Sequence, residues 1–258
     1  MTIAILYICT GKYNQFFADF HASCEQYFMK GIAHVEYFVF TDKVDLSRAE
    51  NVHLIRKECE GFPKDSLFRF DLFLRVREQL EQFDYIYFFN ANAEFLQPVG
   101  PEILPDDSGL VAALWPRREC QPAWMYPYER NKRSLAYIAP HNPPYHYYMG
   151  GINGGTCKAY MDMIETCARN IREDYDKGII AQVHDESHIN KYLRTHACKI
   201  LPCKYCWPEE WDTNINPTMI FRNKVKVDDY FNKGRKDSII GRFSKAIKIL
   251  WRGVSWYI

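Results

Sequence analysis

The stretch Tyr85-Ile86-Tyr87-Phe88-Phe89-Asn90-Ala91-Asn92 sets five apolar or aromatic residues in a row and ends them with two amides spaced by one residue. A run of that length, closed by turn formers, reads as a strand buried on both faces. Working outward, similar short runs recur at residues 3–9 and 35–40. The segments between them carry helical spacing instead. Phe16, Phe20, Cys24, Tyr27 and Phe28 share one face, and Leu67, Phe70, Leu74 and Leu80 share another after the start signal Pro63-Lys64-Asp65-Ser66. Strands alternating with helices predict an α/β fold with a Rossmann-like central sheet flanked by helices. Further along, residues 106–144 are rich in proline, arginine and aromatics and read as long ligand-facing loops. Gly154-Gly155 precedes a helix whose inner face holds Cys157, Met161, Ile164, Cys167, Ala168 and Ile171, and residues 186–194 predict one more helix.

Composition narrows the function classes. A chain of 258 residues that is 47% apolar suits one large domain, expected over residues 1–240. Its 33 basic and 32 acidic residues leave a formal charge of +1, so no overall field points to nucleic acid. Aromatic residues make up 16%, which suits stacking on sugar rings as well as core packing. Nine cysteines, an odd number without a secretory leader ahead of the first strand, predict free thiols in a cytoplasmic compartment. Residues 241–258 differ in kind, with Arg242, Lys245, Lys248 and Arg252 among Phe243, Ile247, Leu250, Trp251, Val254, Trp256 and Tyr257. A basic amphipathic helix of this kind fits peripheral contact with the anionic inner face of a membrane, and equally a terminal helix docked on the domain.

Four groups of residues could carry chemistry. Asn90 and Asn92 stand beyond the carboxyl end of a strand, where open α/β sheets bind ligands. Two carboxylates there would hold a divalent ion, but neutral amides are poor ligands for a hard cation, and a strand-ending turn explains the pair equally well. His184-Asp185-Glu186-Ser187-His188-Ile189-Asn190 opens a helix with several proton-carrying groups. Acidic residues at a helix start also serve as dipole complement, and the order is not that of a zinc protease. Tyr147-Tyr148-Met149-Gly150-Gly151-Ile152-Asn153-Gly154-Gly155 permits close backbone approach to a ligand, or forms a glycine-rich turn without one. Cys203-Lys204-Tyr205-Cys206 is a lone C-x-x-C whose spacing to Cys198 fits no familiar zinc site.

Taken in order, these segments resemble glycosyltransferase family six, whose vertebrate members include the histo-blood-group A and B transferases and whose bacterial members are shorter. The resemblance rests on Tyr7-Ile8-Cys9-Thr10-Gly11-Lys12-Tyr13, the YFVFTD run at residues 37–42, FFNAN at 88–92, Tyr128-Glu129-Arg130, Ala136-Tyr137-Ile138, the glycine run from Tyr147, and HDESHINKY at 184–192. It spans roughly residues 3–225 and leaves the basic C-terminal segment outside.

The resemblance implies a GT-A fold and a retaining α-1,3 transfer of N-acetylgalactosamine or galactose from its UDP-sugar to a galactose-containing, fucosylated acceptor glycan. Glu186 corresponds to the family's catalytic carboxylate, and Asp185 to a residue holding donor-sugar hydroxyls. Ile8, Thr10 and Tyr13 match positions around the uridine, Arg69 a basic donor-site residue, and Met149 and Gly151 positions that shape the donor sugar. Trp115, Val183 and His184 match acceptor-lining positions, the first two with residues unlike the vertebrate ones. Asn90 and Asn92 stand where vertebrate members have D-x-D aspartates, so no divalent metal is expected, and Arg69 with Arg222, Lys224 or Lys226 would face the diphosphate. Room beside Gly151 favours N-acetylgalactosamine, whereas Met149 resembles the galactose-using enzyme. The competing expectation is an inactive sugar-nucleotide-binding protein.

Overall fold

The structure is a computed structural model describing residues 1–116, 121–211, 215–232 and 239–257. Along the described chain come β1 (Thr2–Ile8), α1 (Phe17–Tyr27), β2 (His34–Thr41), β3 (Val52–Arg56), α2 (Lys64–Leu67), α3 (Arg69–Leu74), α4 (Arg77–Leu80), β4 (Tyr85–Phe89) and β5 (Ala93–Phe95). There follow β6 (Leu110–Leu114), β7 (Tyr148–Thr156), α5 (Cys157–Asp176), α6 (His184–Tyr192), β8 (Lys199–Leu201), β9 (Trp207–Pro208), β10 (Met219–Phe221), α7 (Lys224–Val227) and α8 (Ile239–Tyr257). The main sheet has the order β3-β2-β1-β4-β7-β6-β8, and β5-β10-β9 form a small second sheet. Strands β3, β2, β1 and β4 are parallel, and β7 runs antiparallel between β4 and β6.

Period-two alternation along β1 divides the core. Ile3, Ile5 and Tyr7 face α1 through Phe17, Phe20 and Cys24. Ala4 and Leu6 face the other layer, where Phe70 and Phe73 of α3 meet Tyr160, Ile164 and Ile171 of α5. Each such fully buried large side chain contributes about 1.5–3 kcal/mol. The long amphipathic face predicted after Gly155 is α5, capped by Thr156, whose side chain accepts from Ala159 N.

Three segments depart from the sequence expectation. The helix expected after Ser66 is three short pieces, because the backbone leaves the helical region at Phe68 and Val76. That break lets Arg69 turn inward beside Phe70 and Phe73. Within the expected loop region, residues 110–114 form β6, a buried strand of the main sheet. The glycine run is neither turn nor loop but the central strand β7. A Cβ at Gly154 would come 2.6 Å from the Ile86 carbonyl oxygen, and one at Gly155 would come 2.2 Å from that of Gly109. Those two glycines therefore serve close strand packing.

The C-terminal segment is docked. Trp256 is 4% exposed within a cluster of Tyr126, Tyr128, Ile138 and Tyr147, and its indole N–H donates to the Ile138 carbonyl at 2.7 Å. The ring of Trp124 covers Gly253. Among the described residues no helix is long and apolar enough to cross a membrane.

Candidate active site

The N-terminus of α6 is fastened to β7 by one side chain. Asn190 accepts from Tyr148 N and donates to Tyr148 O and to Glu186 O, each at 2.9 Å. At the helix start, Ser187 Oγ accepts from Val183 N at 3.0 Å. Buried Glu129 accepts from Arg130 N at 2.8 Å, Asn131 N at 2.7 Å and Gln182 N at 2.6 Å, which ties the approach to α6 to the loop before β7. Loop and helix start thus share one frame.

That frame aims Glu186. Its Oε2 accepts from Gly150 N at 2.6 Å, and its Oε1 accepts from the Tyr147 hydroxyl and from Trp115 Nε1 at 3.4 Å. Three fixed donors suit an ionised carboxylate, which only accepts. Burial nevertheless pushes the carboxyl above its ordinary range, helped by neighbouring Asp185 and opposed by the three donors. The side chain remains partly exposed and faces a cavity.

Behind it, Asp185 is 6% exposed, with Oδ2 3.1 Å from Arg69 Nε. Burial raises its pKa despite that guanidinium. Arg69 lies over the Phe88 ring at 4.2 Å and donates from Nη1 to the Gly150 carbonyl at 2.8 Å. Its buried Nη2 has no hydrogen-bond partner among the described residues, and the residue lines a cavity. The residue thus sets a fixed positive charge beside the cavity, suited to an anionic or hydroxyl-rich ligand.

Two cavities meet here. The first, about 300 Å³, is lined by Ile8, Thr10, Tyr13 and Arg69 together with Tyr230 and Phe231. The second, about 650 Å³, is lined by Asn92, Trp115, Met149, Gly151 and Glu186. Tyr13, Asn90, Lys224 and Phe231 line both, so the two form one cleft. Lys224 Nζ is 3.3 Å from the Tyr13 hydroxyl and 4.7 Å from its ring centre.

The profile of Glycosyltransferase family 6 matches residues 1–230. The chain is 35% identical over 234 residues to the O-antigen biosynthesis glycosyltransferase WbnI of Escherichia coli, covering 90% of this chain and 99% of that one. The chain belongs to glycosyltransferase family 6. It is also 31% identical to a globoside alpha-1,3-N-acetylgalactosaminyltransferase 1 of Gallus gallus, covering 89% of this chain and 67% of that one. With histo-blood group ABO system transferase 1 of Rattus norvegicus the identity is 34%, over 81% of this chain and 62% of that one.

Membership makes the protein a hexosyltransferase that takes a nucleotide-sugar donor and a glycan acceptor, and its mixed seven-stranded sheet with flanking helices is the GT-A-type fold. The cleft gathers most of the residues singled out in the sequence. Ile8, Thr10, Tyr13 and Arg69 line the first cavity; Asn92, Trp115, Met149, Gly151 and Glu186 line the second; Asn90 lines both. Val183, His184 and Asp185 line neither. The His184 ring instead meets Phe62 edge-on at 4.7 Å, and its backbone takes a left-handed φ of 46°.

Of the basic residues expected at the diphosphate, Lys224 lies at the junction of the cavities. Arg222 is engaged by Asp19 and by Glu94 at 3.3 Å, and Lys226 by Glu209 at 3.3 Å. Sequence reasoning did not assign Tyr147, Gly150, Asn190 or Phe221. Tyr147, Gly150 and Asn190 lay inside the quoted motifs, where their spacing gave no role. Phe221 comes from the small second sheet, and its ring fills the room beside Gly151, where a Cβ would sit 3.0 Å from Cε1 and Cζ. Among the described residues no group of three or more His, Cys, Asp or Glu converges as a metal site. Cys9, Cys24, Cys59, Cys157, Cys167 and Cys198 carry free thiols, and burial raises the Cys9 and Cys167 thiols to about 12.

Proposed function

We propose that this enzyme is a retaining α-1,3-transferase. In this reading it moves N-acetylgalactosamine or galactose from the UDP-sugar to a galactose-containing, fucosylated acceptor without a divalent metal; the Phe221 ring beside Gly151 removes the room that favoured the larger sugar. The observation that carries the reading is the Glu186 carboxylate, held by Gly150, Tyr147 and Trp115 and turned toward the cleft. The nucleotide occupies the aromatic first cavity around Tyr13 and Phe231, and the sugar lies toward Met149, Gly151 and Glu186. An ionised Glu186 stabilises the positive charge that develops at the anomeric carbon, as carboxylates do in glycoside hydrolysis. Asp185, paired with Arg69, serves the donor hydroxyls from behind. Trp115, in the second cavity, receives the acceptor, while Val183 and His184 stand outside both cavities.

Departing UDP carries negative charge, which preorganised cations and dipoles stabilise by several kcal/mol in a water-poor site. Lys224 and the Arg69 guanidinium, both lining the first cavity, supply that field. Metal independence is supported by the amides at Asn90 and Asn92. Asn90 Nδ2 donates to Asn92 Oδ1 at 2.9 Å, and Asn92 Nδ2 donates to the Arg222 carbonyl at 2.7 Å. These side chains fasten the end of β4 to the segment after β10. Unbridged, buried thiols such as Cys9 and Cys167 fit work in the cytoplasm.

The test is UDP release in EDTA with UDP-N-acetylgalactosamine or UDP-galactose and with fucosylated or unfucosylated galactosides. Turnover with at least one of the two donors is expected. Donor binding without turnover or hydrolysis would overturn the reading and leave a sugar-nucleotide-binding protein. Glu186→Gln should lower kcat by about a hundredfold or more while UDP affinity stays near wild type.

A further inference from the structure

Among its described side chains, helix α8 has a packed face and an exposed one. Trp256 and Gly253 anchor it against Tyr128 and Trp124, while Ile247, Leu250, Trp251 and Val254 are 51%, 55%, 72% and 55% exposed. Steps of three, four and seven residues put these four side chains on one stripe. Large apolar residues scattered singly over a surface need no explanation, but a continuous stripe topped by tryptophan marks an interaction face.

The sequence of the same helix says what covers that stripe. It carries Arg242, Lys245, Lys248 and Arg252 and no acidic residue, in a chain whose formal charge is only +1. Arg252 follows the stripe residue Trp251 by one position, a turn of about 100° that places it beside the stripe. Packing against a second copy of this helix would bring like charges together, whereas an anionic lipid surface complements them. Trp251 is the residue type that settles at the level of lipid headgroups. We propose that the outward face of α8 docks the enzyme on an anionic membrane surface, with Ile247, Leu250, Trp251 and Val254 entering the headgroup and acyl boundary. The helix lies in the interface plane, consistent with its failing to qualify as a membrane span. Docking of this face is independent of which sugar the cleft transfers.

The experiment is co-sedimentation of the full chain with vesicles of phosphatidylcholine plus phosphatidylglycerol and with vesicles of phosphatidylcholine alone. Trp251→Ser and Leu250→Ser are compared with wild type, and UDP release on a soluble acceptor is read for each protein. Wild type should bind the anionic vesicles selectively and lose binding as salt rises. Each serine variant should bind about tenfold more weakly or worse, with unchanged UDP release, because neither side chain touches the cleft. Equal vesicle binding by wild type and both variants would overturn the proposal. So would no binding by wild type, or a concentration-dependent dimer in light scattering that Trp251→Ser abolishes, which would give the stripe to a second copy.

Discussion

Replacing Tyr147 by Phe removes the hydroxyl that donates to Glu186 and keeps the ring. The ring is buried, with Tyr128 at 5.6 Å and Tyr126 at 5.9 Å between ring centres, so Phe keeps the packing and only the hydroxyl is lost. Of the three donors to the carboxylate, Gly150 N–H belongs to the backbone and stays, and Trp115 Nε1 at 3.4 Å is long. Tyr147 is therefore the strong side-chain donor. A hydrogen bond to a charged group contributes about 1.5–3 kcal/mol, which corresponds to roughly 10- to 150-fold in kcat/KM. The sign with pH follows from the same bond. Tyr147 favours the ionised carboxylate and so opposes the upward push of burial. Without it the carboxyl rises further, and activity that needs ionised Glu186 is lost at higher pH than in wild type. The assay is kcat/KM for UDP release against pH, with thermal unfolding as a control on the fold. An acid limb superimposable on that of wild type, at an unchanged rate, would refute the role of Tyr147.

Other expectations follow from single contacts. Gly151→Ala puts a methyl 3.0 Å from the Phe221 ring, so Tm and donor turnover should fall by an amount equivalent to about 1–2 kcal/mol, and adding Phe221→Leu should recover part of both; no recovery in the double variant would count against this contact. Gly155→Ala forces a carbon to 2.2 Å from the Gly109 carbonyl oxygen between two paired strands, and circular dichroism should show loss of cooperative unfolding at temperatures where wild type is folded. Burial lowers the His188 imidazole to about 4, below the unfolded value of about 6.5, so the unfolded chain takes up the proton first as pH falls. The neutral histidine's contribution is complete above about pH 6.5 and about 3 kcal/mol is lost by pH 4; urea unfolding of wild type and His188→Gln should converge over that window, and parallel curves would rule out His188 as the source.

Periodicity carried the fold as far as local order could. Runs buried on both faces in β1, β2 and β4 and the single long face of α5 are properties of neighbouring residues, and they are legible as such. The strand nature of residues 148–156 is not, because what makes Gly154 and Gly155 strand residues is the nearness of Ile86 and Gly109 from other strands. Arg69 offers a similar lesson. Only the resemblance marks it as a donor-site residue, while the helix spacing gives no sign of the backbone break at Phe68 beside which it pairs with Asp185 and Gly150. In the site, Glu186 is assigned through the HDESHINKY resemblance, but the groups that aim it are a backbone N–H, a phenol and an indole from distant positions. Phe221 reaches Gly151 only after the chain has crossed into a second sheet, and no spacing rule connects the two.

The cluster around Trp256 has a consequence for how this molecule varies. The family match covers residues 1–230, yet Trp256 beyond it lies 6.0 Å from Tyr128, which lies 5.6 Å from Tyr147, whose hydroxyl holds Glu186. A lineage that exchanges its tail therefore also exchanges a prop under the reacting carboxylate. Turnover can drift by substitutions far from the cleft, and a chain trimmed to the boundary of kinship loses the wedge that steadies Tyr147.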